Sequence, residues 1–205
     1  MRTALACLLF AATVGAQTAS IDLMTREGVA AAQGTWRYSD TRIIEVDFPS
    51  SSGAPGRTWD FTPHAGAADF DDASWQILDP PSLAEPRAGG KVCFNWYRIR
   101  VTLPERVGDF DVSGSLVTFD AIVDDYAEVW VNGNLPRDFG QSGGTVVKGF
   151  NAPNTVVLTQ DARPGQTFVI AVFGINGPIS DAPGNYIFFR HARLDFFRQV
   201  KRRAM

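Results

Sequence analysis

Cysteine and histidine are scarce: 205 residues contain two of each. Cys7 lies in an N-terminal apolar run, so removal of that run leaves Cys93 alone and excludes an intrachain disulfide. His64 and His191 are far apart in the chain, and two histidines with one cysteine make no zinc set. Long apolar stretches are also missing, since the run Ala4–Ala12 is too short to span a bilayer as a stable helix. There is no excess of positive charge. The formal net charge is −3, and one unit more negative once Arg2 is lost. That balance excludes an electrostatic case for nucleic acid or an anionic membrane as partner. Arg198, Lys201, Arg202 and Arg203 are the exception, and residues 199–205 read as a solvated basic tail. No segment has the apolar period of an ordinary helix, and there is no internal repeat.

What is present points to strands. Aromatic residues make up 12% of the chain, with fifteen Phe and five Trp, which favours pleated, half-buried surfaces. Nineteen Gly and twelve Pro are scattered along it, as turns between short elements require. Arg2, the apolar run and the small residues Val14-Gly15-Ala16 form the tripartite pattern of a secretory leader. It is assigned to residues 1–19, with cleavage after Ala16 or a few residues later, and it predicts a secreted or periplasmic protein. Residues 20–198 then have the length of one domain.

The clearest strand is Trp96–Leu103, where Tyr97, Ile99, Val101 and Leu103 alternate with Trp96, Arg98, Arg100 and Thr102. Further strands are predicted at 42–48, 58–62, 116–123, 127–132, 145–149, 155–159, 167–173 and 186–197. The run 167–173 is apolar on both faces, as in a central strand covered on each side. Strands 116–123 and 127–132 read as a pair joined by a turn at Asp124-Asp125-Tyr126, and Asn132-Gly133 carries a type I′ turn signal. Residues 21–32 predict a short helix, and 63–90 a surface loop with one helical turn near 71–75. The fold class expected is all-β: a two-sheet antiparallel jelly-roll sandwich.

Particular strings strengthen this reading. Ser115-Leu116-Val117-Thr118-Phe119, followed by Asp125-Tyr126-Ala127-Glu128-Val129-Trp130-Val131-Asn132-Gly133, resembles the sugar-binding domain of family 2 glycoside hydrolases. So do Trp96-Tyr97-Arg98 with Leu103-Pro104, and Asp72-Ala73-Ser74-Trp75 ahead of Leu78-Asp79-Pro80; together they span residues 60 to 175. Pro63-His64-Ala65-Gly66, Gly149–Asn154 and Asn176–Ser180 resemble an accessory domain of secreted gluconolactonase-like proteins. Both resemblances imply a galactose-binding-like jelly roll that supports a neighbouring catalytic domain. The sequence departs from both in holding no propeller or barrel of its own.

Candidate chemistry is sparse. Gly140-Gln141-Ser142-Gly143-Gly144 matches a nucleophile-elbow pattern, but it lacks the flanking strand and helix that such a turn requires. Asp124, Asp125 and Glu128 are three carboxylates within five positions. Glycosidases place two carboxylates on opposite sides of the scissile bond, so these suit hydroxyl binding, Ca²⁺ ligation or capping of their own turn. Nothing supports a resident cofactor, and a structural Ca²⁺ is the sole ion their chemistry suits. The five tryptophans are candidates for stacking on sugar C–H faces, with Trp96 and Trp130 on the strand faces opposite the core and Arg98 and Glu128 beside them. His191 reads as a strand histidine with a local partner, and Cys93 as a small buried thiol. The residues expected to bind ligand are Asp124, Asp125, Tyr126, Glu128, Trp130, Trp96, Arg98 and Asn176, and no catalytic residue is assigned. The function expected is an exported, non-catalytic carbohydrate-binding module. The alternative is a scaffolding or accessory domain of a glycoside hydrolase or gluconolactonase-like enzyme that is encoded separately or lost by truncation.

Overall fold

The computed structural model describes residues 17–136, 151–177 and 184–199. The motif at Gly140–Gly144 and the strand expected at 145–149 lie outside them. Among the described residues the chain forms two antiparallel sheets and a small hairpin. The strands in chain order are β1 (Gln17–Asp22), β2 (Trp36–Pro49), β3 (Pro55–Thr62), β4 (Gln76–Leu78), β5 (Arg87–Gly90), β6 (Cys93–Thr102), β7 (Arg106–Val107), β8 (Phe110–Asp111), β9 (Leu116–Asp124), β10 (Tyr126–Val131), β11 (Asn154–Thr159), β12 (Thr167–Asn176) and β13 (Asn185–Phe197). The first sheet runs β1-β13-β9-β11, with β5 paired to β13; the second runs β10-β12-β6-β2-β3, with β4 paired to β2. This is the all-β jelly-roll sandwich expected.

The short helix α1 (Arg26–Ala31) follows β1, and the Thr25 side chain accepts the Gly28 amide to cap it. The main core lies between the sheets. Tyr97, Ile99, Val101 and Leu103 enter it from the β6 region, Phe119, Ala121 and Val123 from β9, and Phe189, Leu194 and Phe196 from β13. Trp36 is fully buried there, and its indole N–H donates to the Leu23 carbonyl at 2.9 Å. Phe189 meets Trp36 with ring centroids 5.5 Å apart and Tyr97 edge-on at 4.9 Å. Each such ring contributes about 1.5–3 kcal/mol by burial.

β12 sits between β10 and β6 and is covered on both faces, as its unbroken apolar run required. Phe168, Ile170 and Val172 face the main core, whereas Ala171 and Phe173 face a second cluster with Ala65 and Trp96. Asn132 and Gly133 both adopt positive φ in the predicted turn.

Two expectations are corrected. β9 and β10 do not form a hairpin: β9 pairs with β13 and β11 in the first sheet, and β10 with β12 in the second. The chain changes sheet at Asp124-Asp125, where the peptide bond is cis. Alternation fixes which side chains point inward, but an inward row can close the core from either sheet. The helical turn in the 63–90 segment lies at Pro80–Ala84, not at 71–75. Pro80-Pro81 start it because the first turn of a helix has no use for their missing amides.

Candidate functional site

The structure divides the eight predicted site residues into two groups. Asp124, Asp125, Tyr126 and Asn176 gather at one end of the sandwich, where β9 passes to β10 and β12 ends. Glu128, Trp130, Trp96 and Arg98 lie on the outer face of the second sheet.

At the sandwich end, Asp124 and Asp125 are both buried. Their partners come from β13 rather than from their own turn. Arg190 Nη2 donates to Asp124 Oδ2 at 2.7 Å, and Asn185 Nδ2 to Asp125 Oδ1 at 2.8 Å. The Asn151 amide donates to the Asp125 carbonyl at 2.9 Å. Burial, together with the Asp124 carboxyl alongside, pushes the Asp125 carboxyl up to about 6, against the pull of Asn185 and Arg190. Tyr126 is half-buried at the first position of β10, opposite Ile175. Asn176 is buried and donates to the Gly90 carbonyl at 2.7 Å and to Cys93 Sγ at 3.4 Å. Burial also pushes the Cys93 thiol up, which suits an inert side chain. Asn95 lies in the same region with its carbonyl oxygen unpartnered among the described residues, where the bare Gly174 makes room for it.

These groups are bonded within the protein, and the capacity left over is one Asn185 N–H together with carboxylate and amide oxygens. Adjacent carboxylates on one junction do not provide two groups on opposite sides of a glycosidic bond. Among the described residues no three His, Cys, Asp or Glu side chains converge as a metal site would need. His191 pairs with Asp120, and Asp120 also accepts from Thr155, so this histidine has its local partner.

The outer face is a covered one. Its rungs are Glu128–Phe173–Trp96–Ser39 and Trp130–Ala171–Arg98–Arg37, read across β10, β12, β6 and β2. Residues 63–75 lie over these rungs. Trp96 is 2% exposed and its indole N–H donates to the Pro63 carbonyl at 2.8 Å. Gly66 sits so close to Trp130 that a Cβ there would come within 2.7 Å of the ring. Trp130 Nε1 donates to Glu128 Oε2 at 3.2 Å, and burial raises the Glu128 pKa. Arg98, also 2% exposed, pairs with Asp72 at 2.8 Å and donates to the carbonyls of Ala65, Ala67 and Phe70. Trp96 and Arg98 therefore anchor the overlying segment. Trp75 packs on Phe70 in the same cluster.

The tryptophan with an open face is Trp59, 70% exposed on β3. Arg190, Asn151, Asp72 and Arg37 are not among the site residues expected from the sequence. Each reaches its group from a distant element, and no local pattern marks it. Phe188 stands opposite Asp124 in the ladder, and that register brings Arg190 to the junction.

No protein-family model and no curated protein matches the chain. Solved structures do resemble it. A glycosyl hydrolase family 2 member from Bacteroides cellulosilyticus superposes on 87% of this chain at 15% identity and a TM-score of 0.50. A β-glycosidase from Bacteroides vulgatus also covers 87%, at 16% identity and 0.48. A β-glucuronidase from Bacteroides uniformis covers 86% at 15% and 0.48. The matched region is 21%, 20% and 18% of those chains, respectively, so this chain spans about a fifth of their length. What the similarity to the first of these shows is a common fold: this jelly-roll sandwich also occurs within a much longer hydrolase chain.

Proposed function

We propose that the protein is an exported, non-catalytic carbohydrate-binding domain that serves as an accessory unit to a glycoside hydrolase. The observation that carries this reading is the polar end of the sandwich. Asp125 at the β9–β10 junction, Asn176 of β12 and Asn185 of β13 gather there. A sugar presents paired hydroxyls, and a partly protonated carboxyl beside two primary amides can both donate to them and accept from them. Export is supported by the leader pattern of residues 1–19. Isothermal titration against neutral sugars, galactosides and glucans, tests the binding. Heat that is lost in Asn185→Ala is expected, and no heat with any sugar would remove the reading.

A second reading, a scaffold that docks on a separately encoded hydrolase, is favoured by the β2–β3 ribbon. β2 pairs with β6 over Arg37–Thr41 and with β3 from Arg42 onward; the base of this ribbon packs on the second sheet through Phe61 against Phe173, and its outer part is exposed. It exposes Trp59, Phe48 at 54% and Ile43 at 47%. Co-purification of a glycosidase activity with the wild-type chain, lost in Phe48→Ala/Trp59→Ala, would support docking.

A further inference from the structure

Three arginines stand close together at one edge of the outer face of the second sheet. Arg37 of β2 and Arg98 of β6 stand directly opposite each other in the ladder, an arrangement that repels unless a counter-charge intervenes. Asp72 provides one, with Oδ2 2.8 Å from Arg98 Nε and Oδ1 3.5 Å from Arg37 Nε. The remaining partners of the two guanidiniums are backbone carbonyls: Ala65, Ala67 and Phe70 for Arg98, and Asp72 and Ala73 for Arg37. Carbonyls satisfy N–H groups but add no negative charge. Arg100 lies two residues further along the same face, is exposed, and has no carboxylate partner among the described residues. The three arginines and Asp72 line one cleft of about 340 Å³, together with Phe70, Gln33 and Thr35.

Among the residues that line the cleft, three guanidiniums face one carboxylate, with Asp69 and Asp71 exposed on the overlying segment beside it, and a concave site focuses the field of the arginine that has no partner. The free guanidinium there is a rigid fork whose geometry matches a planar oxyanion. Phe70 offers an apolar wall, and Gln33 and Thr35 offer hydroxyl partners at the rim. We propose that this cleft binds the carboxylate of an acidic sugar, a hexuronate or uronate-bearing oligosaccharide, with Arg100 making the direct contact. The sugar part of this assignment rests on the carbohydrate reading above; the anion part does not.

The test is titration of the ¹⁵N-labelled full chain, followed by NMR at low ionic strength, with galacturonate and glucuronate, with galactose and glucose, and with acetate and sulfate. Uronates are expected to shift the amides of Thr35, Phe70 and Arg100, and neutral sugars to leave them in place. Arg100→Ala is expected to weaken uronate binding by about tenfold or more, and added salt to weaken it further. Arg100 is on the surface, so the variant is expected to fold. Absence of uronate shifts at the cleft, or affinity unchanged in Arg100→Ala, would overturn the proposal. Acetate or sulfate binding as tightly as the uronates would overturn the assignment to a sugar. Failure of the general carbohydrate reading is separately visible, because a neutral sugar in the sandwich end would shift the amides of Asp125 and Asn185 instead.

Discussion

Asp125→Asn is expected to stabilise the protein above pH 7 and to leave it unchanged near pH 4. The Asp125 carboxyl has an ordinary value of 3.8 and is pushed up to about 6 in the fold, first by burial and then by Asp124. Between those values the folded chain holds a proton that the unfolded chain has released. Its stability contribution is therefore complete below about pH 4 and is lost as pH rises through 6. At 1.36 kcal/mol per tenfold change in proton affinity, the rise from 3.8 to about 6 limits the loss to about 3 kcal/mol. Asparagine mimics the protonated acid: its carbonyl oxygen can accept from Asn185 and its amide can donate to Asp124, with no proton to lose. Urea unfolding of both chains at pH 4, 6 and 8, read by tryptophan fluorescence, measures the difference; carboxylates distant from the junction cancel from it, and Asp124, which titrates together with Asp125, is part of what it reads. At pH 8 the variant is expected to gain about 1–3 kcal/mol, or roughly 2–4 °C in Tm per kcal/mol. A variant equal to or less stable than the wild type at pH 8 would refute the account of a buried carboxyl held against its charge.

Arg98→Met leaves three carbonyls without their donor and Asp72 with Arg37 alone, and is expected to cost about 3 kcal/mol. Limited proteolysis should then cut within 63–75, the segment that Arg98 anchors. Gly66→Ala forces a methyl into the Trp130 ring, with an expected loss of about 1–3 kcal/mol and a shift in tryptophan emission. Phe189→Ala, in the main core between Trp36 and Tyr97, is expected to cost about 3–5 kcal/mol in chemical denaturation. Trp59→Ala, by contrast, should stay within about 0.5 kcal/mol of wild type, because its ring faces solvent.

Much of the sandwich was legible in the chain because strand alternation is local. Tyr97, Ile99, Val101 and Leu103 declare an inward row by their spacing, and the two apolar faces of Thr167–Phe173 declare a strand with cover on both sides. Both statements hold in the structure. The Asn132-Gly133 turn is likewise dictated by two residues that tolerate positive φ. The candidate site was legible only in part. Asp125 and Asn176 do meet at one end, but the groups that complete it, Asn185 and Arg190, come from β13 far along the chain. Trp96 and Arg98 were read correctly as outward-facing, yet outward is not the same as exposed.

Sequence alone determined the all-β class and the inward faces, because the two-residue period of a strand is written into neighbouring side chains. Tertiary structure decided which sheet β10 joins, and that residues 63–75 cover the outer rungs of the second sheet. Those outcomes depend on pairing and packing between segments far apart in the chain, where a small Gly66 admits Trp130 and one Asp72 reconciles two arginines. No local pattern specifies such meetings.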